Sequence, residues 1–154
     1  MPKRTRTVKK IPALRSKLEL RTKEQLDKHG ITYDYEGYTI PFRTPVRGGI
    51  CEDCAGRSVH QQRRYLPDFT IRPSGIVVEV KGYLRSPQRS KILGIRKWNP
   101  DLDFRMVFGS DNKISKGSET RYSDWCEEHG IPYCIRIIPP EWIEEFRKGH
   151  PDRG

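Results

Sequence analysis

Leu14, Leu18, Thr22, Gln25, Leu26 and His29 recur at helical spacing, so the first predicted element is a helix opened by Ser16 and stopped by Gly30 as a left-handed C-cap glycine. Residues 31–36 and 38–42 read as two strands of a hairpin bent at Gly37. Periodicity is then lost over residues 43–64, which hold Pro45, Gly48, Gly49, Gly56, two cysteines and five arginines. This stretch reads as a long irregular loop, a class that is usually functional or disordered. Residues 65–71 read as a strand, with residues 72–75 as the turn after it. Residues 75–82, with Ile76, Val77, Val78 and Val80, form the strongest strand pattern in the chain and suit a strand covered on both faces.

Ser86 is read as the cap of a second helix, with Pro87 at its first position and Asn99-Pro100 at its end. A third buried strand is predicted over 103–109, a helix over 119–129, a strand over 132–138 and a last helix over 140–146. From residue 75 onward the order is strand, helix, strand, helix, strand, helix. That order predicts an α/β fold, a mixed β-sheet flanked by helices. His-Gly-Ile-x-Tyr occurs at 29–33 and again at 129–133, a glycine-capped helix entering a strand used twice and not an internal repeat. The organisation read from the chain is a basic N-terminal arm (1–13), one domain (14–146) with the 43–64 segment inserted, and a C-terminal tail (147–154).

Composition sharpens this. Hydrophobic residues make up 34% of the 154 and charged residues 32%, so the core is small. The net charge of +10 points to a polyanionic partner, most often nucleic acid. It is unevenly placed: residues 1–23 hold nine basic residues against Glu19 alone, and residues 43–97 hold twelve against four. No apolar run approaches the length of a membrane span, and no basic helix carries an aromatic face, so a membrane partner is not expected. The first ten residues lack the apolar stripe of a mitochondrial presequence and read as a nucleic-acid-binding arm. No secretory segment follows, so a cytoplasmic location and reduced or metal-bound cysteines are expected.

The chemistry centres on Asp68, in Pro67-Asp68-Phe69, and on Glu79-Val80-Lys81. Glu79 and Lys81 are two apart on a strand and share a face. A carboxylate and an ammonium on a buried strand are expensive unless they are paired or bind something. Asp68 from the neighbouring strand completes a hard-oxygen donor set suited to Mg²⁺ or Mn²⁺, up to two ions. Phosphodiester hydrolysis needs an activated water, a stabilised phosphorane and a neutralised leaving oxygen, which divalent ions supply. Lys81 suits the attacking water or a phosphoryl oxygen. The alternative is an ordinary Glu–Lys pair on the solvent face of an edge strand.

With these residues in place the chain resembles the phage endonuclease I family, Holliday junction resolvases of the PD-(D/E)xK nuclease superfamily. The resemblance is carried by LRSKLE (14–19), LPDF (66–69), GIVVEVKG (75–82), RMVF (105–108), KGS (116–118), WCEEHGI (125–131) and IPPEWI (138–143). It implies that Asp68 and Glu79 ligate metal with the Val80 carbonyl, that Lys81 is the catalytic lysine and that Glu19 is the fourth site residue. It also implies a segment-swapped homodimer, in which each site takes Glu19 from one subunit and the other three residues from its partner, and a branched DNA substrate selected by shape. Spacing alone favours another role for Glu19, because Ser16-x-x-Glu19 is a capping box; the resemblance favours the site.

Residues 43–64 depart from the family in length and carry Cys51-x-x-Cys54 and His60. Cys-x-x-Cys is half of a zinc site, with His60 a candidate third ligand; two free cysteines in a loop is the other reading. Cys126 and Cys134 are read as core residues, and Trp98, Trp125 and Trp142 as packing anchors. Arg15, Lys17, Arg63, Arg64, Arg85, Arg89, Lys91, Lys113 and Lys116 are the candidate DNA contacts. Two rival functions stand beside the resolvase: another PD-(D/E)xK nuclease acting at mismatches, nicks or duplex sequences, and a basic module that binds nucleic acid without cutting it.

Overall fold

In a computed structural model the chain is described over residues 16–50 and 58–148, apart from the side chains of 47–50 and 58. Helix α1 (Lys17–Lys28) is followed by strands β1 (Tyr33–Tyr35), β2 (Ile40–Ile50), β3 (Ser58–Tyr65), β4 (Phe69–Ile71) and β5 (Val77–Lys81). Then come α2 (Ser86–Trp98), β6 (Phe104–Phe108), α3 (Tyr122–Glu128), β7 (Tyr133–Ile135) and α4 (Pro140–Arg147). One sheet runs in the order β1-β4-β5-β6-β7, and β2 and β3 form a separate two-stranded ribbon. The main sheet is mixed, as expected: β1–β4 and β4–β5 are antiparallel, β5–β6 and β6–β7 parallel.

Strand β5 lies in the middle because it has side chains for two cores. Val78 and Val80 point into the cluster with Leu26, Phe69, Val107, Trp142 and Phe146. Val77 points the other way, among Ile95, Phe104, Met106, Phe108 and Trp125. Cys126 and Cys134 are buried free thiols in these clusters, as read from the sequence. The first helix has its predicted ends: Ser16 Oγ accepts from the Glu19 amide, and Gly30 sits at φ +65°. That dihedral is one that a side chain resists.

Three expectations are corrected. Residues 31–42 are not a hairpin: β1 adds to the edge of the main sheet against β4, and β2 leaves for the ribbon. Residues 43–64 are not an irregular loop, since β2 and β3 pair from Ile40↔Tyr65 to Pro45↔His60, then shift register before Ile50↔Ser58. The two prolines of β2, Pro41 and Pro45, are four apart, so their missing N–H groups fall on the same side. In a two-stranded ribbon that side can be the unpaired edge, which is why a proline-containing run still pairs. The ribbon packs against α2, where Phe42 is buried and Asn99 donates to the Pro41 carbonyl.

The third correction concerns element starts. Helix α2 begins at Ser86, with Arg85 as its N-cap, and Gln88 Oε1 accepts from the Arg85 amide, so Ser86 is not the cap. Helix α3 starts at Tyr122, because Lys113 and Arg121 bridge across the preceding loop. Tyr65 belongs to the ribbon, and β4 does not begin until Phe69. Trp125 and Trp142 are packing anchors, whereas Trp98 is 40% exposed beneath Arg43 and His60. Among the described residues no helix is long and apolar enough to cross a membrane.

Candidate active site

The site lies where β4 parts from β5. Their register pairs Phe69 with Val78, so its continuation would set Pro67 against Val80. Proline has no N–H to give to the Val80 carbonyl, and the ladder ends there. The Val80 amide is taken up by a side chain instead, donating to Asp68 Oδ2 at 2.8 Å. Proline before the aspartate thus ends the pairing, and the aspartate replaces the lost acceptor.

Glu79 and Lys81 share the face predicted from their spacing. Lys81 Nζ lies 2.8 Å from Glu79 Oε1, and Glu79 is only 4% exposed. Glu79 Oε2 accepts from the Tyr65 hydroxyl, and the Asp68 amide approaches it at 3.4 Å. Glu19 is also buried, on the first turn of α1, and accepts from the Tyr35 hydroxyl at 3.0 Å. Leu18 beside it reaches Gly109, just beyond β6, which sets the start of α1 near the carboxyl ends of the parallel strands. One chain therefore brings Glu19, Asp68, Glu79 and Lys81 together. Ser16 caps the helix by accepting from the Glu19 amide, but among the described residues the reciprocal half of the expected capping box is not formed: the Glu19 carboxylate accepts from Tyr35 rather than returning to the Ser16 amide. Ser16→Ala is expected to cost about 1 kcal/mol in urea unfolding, with Ser16→Asp restoring most of it; an unchanged midpoint would show that the cap does not sustain this turn.

The electrostatics follow from crowding acids out of water. Burial, then repulsion from Glu79, raises Asp68 to about 7, against the pull of the Val80 amide and Lys81. Burial opposes the charge on Lys81, but Glu79, Asp68 and Glu19 outweigh it and hold the ammonium above its ordinary value. In the metal-free fold Lys81 is therefore a hydrogen-bond donor and a positive charge. A cation placed among these carboxylates would relieve their repulsion.

The donor set fits a hard divalent ion in chemistry: Asp68 Oδ1 accepts no hydrogen bond from the described residues, and Pro67 leaves the Val80 carbonyl without a ladder donor. Among the described residues no three His, Cys, Asp or Glu side chains converge tightly enough to hold an ion as they stand. Glu79 is instead engaged by Lys81 and Tyr65.

The candidate DNA contacts are spread more widely. Lys17, Arg63, Arg64, Arg85, Lys91, Lys113 and Lys116 are exposed. Arg63, Arg64 and Lys91 line one concavity of about 350 Å³ with Phe42 and Thr44, on the ribbon–α2 side of the site. Lys91 also lies over the Tyr65 ring, 5.2 Å from its centre. Lys113 pairs with Glu119 at 3.2 Å. Arg89 is half-buried and donates to the Leu84 and Ile114 carbonyls, tying α2 to the loop after β6. Arg15, Cys51 and Cys54 lie outside the described residues, and His60 stands edge-on to Trp98 at 5.9 Å. Sequence reasoning missed Tyr35 and Tyr65. The available signal was an aromatic residue with a polar end, placed three residues before the key aspartate.

Comparison with known proteins bears on this geometry. A family model described as phage endonuclease I matches residues 1–153. The chain is 39% identical over 145 residues to "Endonuclease I" of Escherichia phage T7, covering 94% of this chain and 87% of that protein. It is also 39% identical over 140 residues to "Endodeoxyribonuclease 1" of Enterobacteria phage T3, covering 90% and 82%.

Proposed function

The chain belongs to the phage endonuclease I family, and on that footing we propose that it is a metal-dependent DNA endonuclease that cuts four-way and other branched junctions. The observation that carries the reading is the buried meeting of Asp68, Glu79 and Lys81 at the end of the β4–β5 ladder, with Glu19 beside them. A carboxylate cluster that raises Asp68 to about 7 costs stability, and such costs concentrate at functional sites.

Asp68, Glu79 and the Val80 carbonyl would hold one or two Mg²⁺ or Mn²⁺ ions, with Glu19 contributing. Bound there, a divalent ion supplies a water of lowered pKa and neutralises the leaving oxygen. Lys81 donates to the attacking water or to a phosphoryl oxygen. The exposed cations of the ribbon and α2, with Lys17, Lys113 and Lys116, hold the flanking phosphates. Contacts of that kind carry shape more than base sequence, which suits a branched substrate.

The resemblance stated from the sequence implies a homodimer that exchanges segments, and the proposal includes it. Helix α1 and β1 of one subunit would then make, in its partner, the contacts they make here within one chain. Mixing Glu19→Ala and Glu79→Ala homodimers and allowing subunits to exchange should restore cutting if the sites are shared in this way. Full inactivity of the mixture, with exchange demonstrated, would rule sharing out.

The direct test compares an immobile four-way DNA junction with matched linear duplex, in Mg²⁺ and in EDTA. Paired Mg²⁺-dependent cuts near the branch support the proposal. Equal cutting of linear duplex would keep the nuclease and discard the junction preference. Tight junction binding without cutting in any divalent metal would favour a binding module.

A further inference from the structure

We propose that Tyr65 is a positioning residue for Glu79, locking the carboxylate that the proposed function assigns to metal from the end of the β2–β3 ribbon. The inference rests on that metal-dependent reading. Glu79 is almost wholly buried, so solvent does not orient it. Its Oε1 meets Lys81 and its Oε2 meets the Tyr65 hydroxyl. The only other donor to Oε2 among the described residues is the Asp68 amide, at 3.4 Å. Without the phenol, one oxygen of a buried carboxylate keeps only a long contact, and the side chain is free to turn about its terminal bond.

Tyr65 is built to be rigid. It is 3% exposed, its ring packs 6.1 Å from Phe104, and the Lys91 ammonium lies over that ring at 5.2 Å. Its backbone is paired with Ile40 at the root of the ribbon. Because Tyr65 is buried it does not meet DNA, so its removal should alter the site without altering substrate capture. Outer partners of metal ligands of this kind are typically worth about 10- to 100-fold in metal affinity or activity.

The test uses the full chain. Mn²⁺ binding is measured by calorimetry without DNA, and cleavage kinetics are measured on a junction substrate, for wild type, Tyr65→Phe and Tyr83→Phe. Tyr83, 69% exposed, is the control for losing an unrelated hydroxyl. The expected result for Tyr65→Phe is a Mn²⁺ affinity about tenfold or more weaker, with kcat reduced and KM for DNA unchanged. Wild-type affinity and kcat in Tyr65→Phe would overturn the proposal, as would a change in KM alone. Wild-type protein that takes up no Mn²⁺ would instead overturn the metal-dependent reading beneath it. Should Tyr65→Phe fail to fold, 3-fluorotyrosine placed at position 65 alone retains the hydroxyl. Its ¹⁹F resonance is expected to move when Mg²⁺ is added, and a resonance unmoved at saturating Mg²⁺ would overturn the role.

Discussion

Replacing Glu79 with Gln is expected to lower junction cleavage by about 10²- to 10³-fold, the loss typical of removing one preorganised charge from a reacting centre, while DNA binding is retained or improved. Glu79 is the residue on which the cluster converges: Lys81 reaches one oxygen, and Tyr65 and the Asp68 amide reach the other. Gln keeps the volume and a hydrogen-bond acceptor but removes the charge that would bind a cation. It also removes a buried negative charge from the cluster where the scissile phosphate is to sit, which is why affinity should not fall. Single-turnover cleavage and a binding isotherm without divalent metal separate the two effects. Equal loss of binding and cleavage would mean that Glu79 supports the fold and not the chemistry.

Asp68→Asn is expected to abolish cleavage and yet to stabilise the metal-free protein at neutral pH. Asp68 is raised in the fold to about 7 from an ordinary 3.8, chiefly by burial and then by Glu79. A carboxyl whose folded pKa is raised contributes most stability below its unfolded value and loses it as pH climbs through the folded value. Between about pH 4 and 7 the unfolded chain sheds this proton more readily, so stability falls; above 7 the loss is complete. Each unit is about 1.4 kcal/mol, which places the cost of the ionised carboxylate on the order of 4 kcal/mol. Asn keeps an acceptor for the Val80 amide and carries no charge. Thermal unfolding in EDTA should show Asp68→Asn melting higher than wild type at pH 8 and close to it at pH 4. A variant less stable at pH 8 would mean that the carboxylate is paired better than its surroundings indicate.

How far the fold could be read from sequence depended on whether burial left a local pattern. Strand β5 was legible because Val77, Val78 and Val80 face two cores and form one apolar run. Helix α1 was legible because Ser16 and Gly30 mark its ends chemically. The ribbon was not. It buries Phe42 and Tyr65 but leaves Val46, Val59 and the arginines of β3 exposed, so no alternation shows, and its prolines and glycines resemble those of a loop. The pairing of β1 with β4 was equally hidden, since residues 33–35 and 69–71 meet across an intervening hairpin. Of the site, Asp68, Glu79 and Lys81 could be found from strand periodicity and the cost of burying charge. Glu19 could not be separated from a cap by spacing; the fold shows it bonded to Tyr35 and close enough to act on Asp68 and Lys81. Tyr65 carried too weak a local signal, because its partner lies fourteen residues away.

The bond from the Val80 amide to Asp68 Oδ2 has a consequence for amide hydrogen exchange. Most amides of a central strand are protected by carbonyls of neighbouring strands and exchange only when the sheet opens. Val80, opposite the place where Pro67 breaks the ladder, depends on a side chain for its partner. Its exchange rate therefore reports the position of the Asp68 carboxylate, while the rates of its neighbours in β5 report the stability of the sheet. A ligand or substitution that draws Asp68 away should quicken exchange at Val80 alone, so that one amide can register the arming of the site in a protein that is not turning over.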